Sequence, residues 1–264
     1  MRLLAALTFF TRLPFWRIRA IPSDAFKRVV PLWPLAGWIT GGVMAAALWL
    51  TAQVMPLALA WIVALAARLL LTGALHEDGF ADFIDGFGGG RDRERTLAIM
   101  KDSHIGTYGV IGLIIYYALM MQLPHTLSLE TLCALILAGD CWAKCCAAQL
   151  INLLPYARTE EQAKNKTVYS RMKAGEFLLC LVCGLLPAIL LIGGLCTSMP
   201  LFLALRLAPI TVCILLVVPV AVMLLMALAC KRRIGGYTGD CCGACFILCE
   251  LAFYLSAIIS FTIA

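Results

Sequence analysis

Seven of the fifteen acidic residues in this chain lie within residues 75–109, LHEDGFADFIDGFGGGRDRERTLAIMKDSHIGTYG. Three of them, Asp78, Asp82 and Asp85, are spaced i, i+4 and i+7. If the segment is helical, this spacing places the three carboxylates on one face, where like charges repel one another. A divalent cation would remove the repulsion, and oxygen ligands of this kind suit magnesium or manganese. We therefore predict that these three residues bind a metal ion, with Asp102 as a fourth ligand.

Glycines and basic residues follow the carboxylates. Gly88, Gly89 and the next glycine should end the helix, and glycines let backbone amides approach a bulky anion closely. Basic groups that could neutralise phosphate charge come next, at Arg91, Arg95 and Lys101. Carboxylates, a divalent metal, glycines and basic groups together are typical of phosphoryl transfer. For RDRER alone, a solvated, salt-bridged loop is the alternative.

These residues have predicted roles in the chemistry. Asp82, His76 and Lys101 are the predicted catalytic residues, whereas Gly88, Gly89, Arg91 and Arg95 are predicted to bind substrate. The neutral form of a histidine can accept a proton, which would make His76 a general base. The alternative for His76 is a hydrogen-bonding group beside the metal ligands.

The elements that carry this segment belong to a membrane protein. The chain of 264 residues is 62% hydrophobic and 14% charged, whereas soluble domains have about 45–50% apolar and about 25% charged residues. About 20 apolar residues span a bilayer. Seven such runs are predicted, near residues 31–54, 57–75, 107–123, 130–153, 177–197, 207–229 and 241–263. We predict an all-α polytopic helix bundle that forms a single domain over residues 1–264.

The basic residues outside these runs predict the orientation. Eighteen Lys and Arg residues lie in the N-terminal segment and in the second, fourth and sixth connections, against Arg206 alone in the others. Cytoplasmic loops carry this excess, so the N-terminus and the carboxylate segment should face the cytoplasm. The apolar core of the first 20 residues is too short to span a bilayer, so we predict that these residues form an interfacial segment. The net charge of +6 then reflects topology and attraction to anionic lipid rather than nucleic-acid binding.

Charged residues also occur inside the predicted spans. Lys144 and Glu250 lie about 15 Å from the cytoplasmic ends, with Asp140 one turn from Lys144. Unpaired charges at such depth cost several kcal/mol, so Lys144 should pair with Asp140 or Glu250. Arg68 lies closer to the cytoplasm, where its side chain could snorkel. An ion-coupled transporter that uses these charges as a relay is the non-enzymatic alternative, but it leaves the glycine-rich carboxylate segment unexplained.

The motif HEDGFADFIDGFGGGRDRERTLAIMKDSHIGTYG closely resembles the signature of the cobalamin synthase family, the adenosylcobinamide-GDP ribazoletransferases. Three further pieces are similar to family motifs in the same order: FFTRLPF near the N-terminus, LPYAR at 154–158 and GGYTGDCCGACFILCE at 235–250. The family commonly has Arg where this chain has His104, and GDCWAK in the fourth span differs from its GRWA-like pattern. Within these motifs, His104 and Asp240 are predicted to bind substrate.

The resemblance implies a reaction. A ribose hydroxyl of α-ribazole or its phosphate attacks the β-phosphorus of adenosylcobinamide-GDP, GMP leaves, and adenosylcobalamin or its phosphate forms. It also implies that the cofactor is Mg²⁺ and that the protein lies in the bacterial inner membrane, with its active site on the cytoplasmic side. Contacts with other enzymes of the corrinoid pathway, or with a second copy of the chain, are left open.

Two other enzyme classes place aspartate clusters on membrane helices. CDP-alcohol phosphatidyltransferases carry D-x-x-D-G-x-x-A-R, but here the residue after GFA is Asp82 rather than Arg. Intramembrane prenyltransferases need two separate aspartate-rich motifs, whereas this chain has one cluster and the lone Asp240. Both classes fit the sequence less well than the cobalamin synthase family does.

Overall fold

The computed structural model describes residues 1–158, 168–192 and 209–263, and the regular elements in these ranges are all helical. The α-helices are α1 (Arg2–Phe10), α2 (Ser23–Lys27), α3 (Trp33–Thr51), α4 (Leu57–Thr72), α5 (Leu75–Gly89), α6 (Arg93–Ile99), α7 (Thr107–Met120), α8 (Leu123–Thr126), α9 (Leu129–Leu153), α10 (Ala174–Ile192), α11 (Pro209–Ile234) and α12 (Gly239–Ile263). Short 3-10 turns at Phe15–Arg17 and Val30–Leu32 precede α2 and α3. The predicted all-α fold is therefore confirmed.

Within the described ranges, five helical stretches are long and apolar enough to cross a bilayer, or six if α4 and α5 form one bent span. The five are Val30–Thr51, Thr107–Thr126, Leu129–Leu153, Cys213–Ile234 and Gly239–Ser260. Ala174–Leu190 is a shorter apolar helix, and the predicted span at 177–197 continues into residues outside the described part. The chain is thus a multi-pass membrane protein, whereas the count of seven spans and the cytoplasmic N-terminus stay predictions.

The apolar surface supports this assignment. Along α7, the side chains of Ile111, Ile114 and Ile115 are exposed, at 49%, 61% and 55% of their full accessibility. A contiguous exposed apolar surface of this kind is unusual on a soluble monomer and marks a membrane or protein contact. This face of α7 therefore suits contact with lipid.

A sharp bend separates α4 from α5. Gly73 and Ala74 have φ angles of 67° and 58°, a left-handed conformation that glycine adopts without steric penalty. The axes of α4 and α5 consequently meet at 88°. The segment predicted as a cytoplasmic connection is therefore a packed helix, and it ends at Gly89 as the glycine run predicts.

Helix α9 lies at the centre of the bundle, where most of its residues are buried. It packs closely against α3 because glycines of α3 face it. A Cβ atom on Gly37 would lie 2.9 Å from Asp140 Oδ1, and one on Gly41 would lie 3.2 Å from the Ile136 carbonyl oxygen. These small residues bring α3 within reach of the buried charges of α9.

One buried charge network joins α3 and α9. Lys144 forms an ion pair with Asp140, and its Nζ donates a hydrogen bond of 3.0 Å to Thr40 Oγ1. Thr40 Oγ1 in turn donates to the second carboxylate oxygen of Asp140 at 2.9 Å. Of the two predicted partners for Lys144, the structure thus selects Asp140.

A second network surrounds Arg68. Its guanidinium pairs with Glu250, donates to the Tyr116 hydroxyl at 2.9 Å and lies 3.6 Å from Glu77 Oε1. Tyr254 donates a further hydrogen bond of 3.2 Å to Glu250. The prediction that Arg68 snorkels was wrong, because this residue is 2% exposed and its partners lie inside the bundle.

The N-terminal helix α1 is part of the protein core. Ala5, Ala6, Leu7 and Phe10 are buried, and Arg2 forms an ion pair of 2.9 Å with Glu176 at the start of α10. Its nine residues are too few to span a bilayer. Protein contacts therefore cover much of the apolar surface that the sequence suggests for a membrane interface.

Candidate active site

A cavity lies where the first turns of α5 and α12 meet α1, α3, α9 and the residues Tyr156, Arg158 and Tyr169. It encloses about 1060 Å³ of open space, including its mouth. Aromatic rings form much of its wall: Phe9, Phe10, Trp33, Tyr156, Tyr169 and Phe246. Its polar lining residues are His76, Asp78, Lys144, Arg158 and Asp240. An apolar wall with a few converging polar groups is typical of a ligand site.

Two glycines bring the acidic residues of α5 and α12 together. A Cβ atom on Gly79 would lie 3.2 Å from Asp240 Cα, and one on Gly243 would lie 3.2 Å from the His76 carbonyl oxygen. Because neither position carries a side chain, the two helices approach closely. As a result, Asp78 and Asp240 line one cavity although 162 positions separate them in the sequence.

A local cap fixes the start of α12. Thr238 Oγ1 accepts a hydrogen bond of 3.3 Å from the Cys241 amide, as expected for an N-cap threonine. Its hydroxyl also lies 3.4 Å from Asp240 Oδ2, to which it donates. The cap thereby orients the Asp240 carboxylate in the first turn of the helix.

Backbone pairing brings two of the family-like motifs side by side. Tyr156 and Tyr237 form an isolated parallel bridge, in which the Ala157 amide donates to Tyr237 at 2.8 Å and the Tyr237 amide donates to Pro155 at 2.9 Å. A Cβ atom on Gly236 would lie 2.3 Å from the Pro155 carbonyl oxygen, so this contact requires glycine. The pairing carries Tyr156 and Arg158 into the cavity wall.

Arginines connect the same motifs to α6. Arg93 donates to the carbonyl oxygens of Ile234 and Ala157 at 2.9 and 2.6 Å. Arg158 donates to the Leu97 carbonyl oxygen at 2.9 Å. These contacts pack three motifs together: RDRER, LPYAR and GGYTGD. The solvated-loop alternative for RDRER therefore does not hold for Arg93, which bonds to LPYAR and to the residue directly before GGYTGD.

The predicted metal ligand Asp85 caps a helix. Its two carboxylate oxygens accept hydrogen bonds from the amides of Gly106 and Gly109 at 2.7 and 2.8 Å, at the first turn of α7. A Cβ atom on either glycine would lie within 2.5 Å of this carboxylate. Asp85 is 5% exposed, and its role as a metal ligand stays a prediction.

The glycine run at the end of α5 packs against neighbouring helices. A Cβ atom on Gly88 would lie 2.8 Å from the Tyr108 ring, and one on Gly90 would lie 2.2 Å from Thr96 Oγ1. Gly89 has ordinary contact distances. Gly88 and Gly89 are not among the described residues that line the cavity, so their substrate-binding role stays a prediction.

The remaining predicted residues lie on the exposed surface around α6. They are Arg91, Arg95, Lys101, Asp102 and His104, and none is in the cavity lining found over the described ranges. The Asp102 carboxylate accepts a hydrogen bond of 3.0 Å from the His104 amide and lies 2.7 Å from its Nδ1. These contacts lower the pKa of Asp102. The structure thus brings Asp78, His76 and Asp240 together and leaves this group apart.

His76 lies between two aromatic rings in the cavity wall. Its ring is 5.7 Å from that of Phe10 and 4.2 Å from that of Phe246. The Nε2 atom is buried and has no hydrogen-bond partner in the described part of the chain, and the same holds for Trp33 Nε1. Buried polar atoms in this state are uncommon and call for an explanation.

The aromatic wall and Arg158 belong to the site although the residue patterns in the sequence do not predict them. A signal for some of them was present, because Phe9 and Phe10 belong to FFTRLPF and Tyr156 and Arg158 belong to LPYAR. Trp33 lies outside the family-like motifs, so only its position in the fold reveals it.

The carboxylates at the cavity fit a magnesium ion that arrives with a phosphate ligand. Over the described ranges, no three His, Cys, Asp or Glu side chains are gathered as a preformed metal site. Magnesium, however, is usually bound by one or two carboxylates, waters and substrate phosphates. Asp78 and Asp240 supply two carboxylates, and half-buried Asp82 follows Asp78 by one turn of α5.

Comparison with known proteins places the chain among enzymes of one kind. It is 34% identical over 260 residues to the adenosylcobinamide-GDP ribazoletransferase of Shewanella sp. (strain W3-18-1), which covers 97% of this chain and 93% of that protein. The ribazoletransferase of Leptothrix cholodnii is 36% identical over 262 residues, with 95% and 92% covered. No solved structure matches the chain significantly. Because the family model of cobalamin-5-phosphate synthase matches residues 2–258, which include all the residues that line the cavity, the chain belongs to this family.

Proposed function

We propose that this protein is an adenosylcobinamide-GDP ribazoletransferase, which joins adenosylcobinamide-GDP to α-ribazole or its phosphate in cobalamin biosynthesis. The observation that carries the proposal is that four family-like motifs, far apart in sequence, meet at one cavity. Relatives that carry this activity in their names match nearly the whole chain. The cavity offers carboxylates that can hold a metal ion, cationic groups that suit phosphate and a histidine that can accept a proton, and these groups suit phosphoryl transfer.

Magnesium is the proposed cofactor, held by Asp78 and Asp240 with Asp82 one turn away. When bound, the ion would neutralise charge on the pyrophosphate and polarise its phosphorus–oxygen bonds. Arg158 lines the same cavity, and its guanidinium suits a phosphate oxygen better than an ammonium group does. These groups position the β-phosphorus of adenosylcobinamide-GDP at the start of α5.

His76 is the proposed general base. Its Nε2 atom lacks a described partner, so it is available to accept the proton of the attacking ribose hydroxyl. The hydroxyl oxygen then forms a bond to the β-phosphorus, the bond from that phosphorus to the bridging oxygen breaks, and GMP leaves. Lys144, held by Asp140 in the cavity wall, adds positive charge near the departing phosphate.

The proposed location is the bacterial inner membrane, with the cavity open to the cytoplasm. The support is the distribution of eighteen basic residues against one across alternate connections. In this orientation both soluble substrates reach the site from the compartment in which nucleotides occur. The transporter alternative has less support, because its relay residues form ion pairs within the protein, Lys144 with Asp140 and Glu250 with Arg68.

The experiment is a GMP-release assay with purified protein in detergent. We expect GMP and a cobalamin product when adenosylcobinamide-GDP, α-ribazole and magnesium are all present, and neither product when α-ribazole or magnesium is left out. GMP release that does not depend on α-ribazole would contradict the proposed transfer reaction. Cobalamin formation in the presence of EDTA would contradict the proposed requirement for magnesium.

A further inference from the structure

One part of the cavity wall is a set of aromatic rings in edge-to-face contact. The Trp33 ring lies 5.5 Å from Phe10 and 5.6 Å from Tyr169, at interplanar angles of 82° and 90°. Phe9 lies 5.9 Å from Tyr169, again nearly perpendicular. Edge-to-face packing holds rings in fixed orientations. The aromatic wall is therefore a rigid surface that suits a flat ligand.

Two buried polar atoms of this wall lack partners. The indole N–H of Trp33 and the Nε2 of His76 have no hydrogen-bond partner among the described residues, although both residues line the cavity and are no more than 5% exposed. Buried donors and acceptors are nearly always paired in folded proteins. Trp33 Nε1 can only donate, so its missing partner is an acceptor.

We propose that this aromatic part binds the base of the nucleoside substrate: a flat, mostly apolar heterocycle with one ring nitrogen that accepts from Trp33 Nε1. The proposal rests on the proposed function, which supplies two aromatic bases, that of α-ribazole and guanine. Guanine carries several donors and acceptors, and the phenylalanine rings would leave most of these unpaired, which is unfavourable in a buried site. The ribazole base has fewer polar atoms and fits the wall.

The arrangement of the cavity agrees with this assignment. The aromatic wall lies beside His76, while Asp78 and Asp240 lie where α5 and α12 begin. A base held against Trp33 would place its ribose near His76 and leave the carboxylates for the pyrophosphate of the second substrate. Trp33 is then a residue that determines which nucleoside is accepted.

The test uses Trp33→Phe, which keeps an aromatic ring and removes the N–H. We expect the Kd for α-ribazole, titrated calorimetrically without magnesium or nucleotide, to rise about five- to tenfold, as loss of one hydrogen bond predicts. The KM for α-ribazole should rise by a similar factor, with the KM for adenosylcobinamide-GDP unchanged. Trp49→Phe is the matched control, because Trp49 is 53% exposed on the same helix and both constants should stay as in the wild type.

A second measurement separates the two bases. GMP is titrated into the wild type and Trp33→Phe, and the proposal expects equal affinity in both. Weaker GMP binding in Trp33→Phe would overturn it by assigning guanine to the wall, and unchanged constants for α-ribazole would overturn it directly. GMP release at saturating substrate tests the proposed function separately, since Trp33→Phe should still turn over. If Trp33→Phe does not fold, Phe10→Leu removes part of the same wall and should raise the KM for α-ribazole alone.

Discussion

Substitution of Asp85 distinguishes a structural carboxylate from a metal ligand. In the structure, the two oxygens of Asp85 accept the amides of Gly106 and Gly109 at the first turn of α7. Asparagine has nearly the same shape but offers one acceptor oxygen, and its NH₂ group would face an amide that also donates. Asp85→Asn should therefore weaken the junction between α5 and α7, and Asp85→Ala should weaken it further.

The magnitude follows from the two bonds. A hydrogen bond to a charged group contributes about 1.5–3 kcal/mol, and loss of a capping side chain costs about 0.5–2 kcal/mol. Asp85→Asn loses one charged bond and weakens the other, so we expect a loss of about 2–3 kcal/mol in the free energy of unfolding. Asp85→Ala leaves both amides without the carboxylate, one of them buried, which raises the expected loss to about 3–5 kcal/mol.

Unfolding in mixed micelles with increasing SDS, followed by tryptophan fluorescence, measures these losses. Asp78→Asn is the matched control, because Asp78 is exposed at the cavity and its replacement should leave stability unchanged while GMP release is lost. If Asp85→Asn unfolds like the wild type yet needs much more magnesium for activity, Asp85 is a metal ligand and the capping argument is refuted.

Three further predictions use the same assays. Lys144→Met should cost about 3–5 kcal/mol of stability because it leaves Asp140 buried without its cation, and Asp140→Asn in the same chain should recover part of that loss. Gly79→Ala should reduce GMP release because its Cβ atom would press on the start of α12. Gly42→Ala should be neutral, because no described atom beyond the adjoining backbone of its own helix lies within 4 Å of the new Cβ atom. The pKa of Asp102 is lowered, so its contact with the neighbouring histidine should be complete above the usual carboxyl pKa and lost as pH falls through the lowered value. The NMR shifts of that histidine ring should report this loss. In Asp102→Asn, the change in the NMR shifts over this pH range should be absent.

Local patterns in the sequence predict the helical parts of the fold well. The i, i+4, i+7 spacing of the aspartates predicts a helix that the glycine run ends, and α5 ends at Gly89. The end of α4 is not predictable in this way. The residues remain apolar up to the end of the helix, and the helix ends because Gly73 adopts a left-handed backbone conformation. Pairing of Arg68 with Glu250 joins residues 182 positions apart, which no local pattern reveals.

The site was only partly predictable for the same reason. Asp78 and His76 follow from their types and spacing, and both line the cavity. The sequence groups Asp85 with them, but the two glycines that occupy its oxygens lie 21 and 24 positions away. Trp33 belongs to none of the motifs, so only the packing of α3 shows that it lies in the aromatic wall.

The most direct test of the central claim is a comparison of single-turnover GMP release in Asp78→Asn, Asp240→Asn and Asp102→Asn at matched folded concentrations. If the cavity between α5 and α12 is the site of transfer, Asp78→Asn and Asp240→Asn should lose nearly all GMP release. Raising the magnesium concentration should restore little of that activity. Asp102→Asn should retain most of the wild-type rate, because its carboxylate is exposed and contacts His104. Full activity in Asp78→Asn together with an inactive Asp102→Asn would contradict the account and move the reaction to the surface around α6.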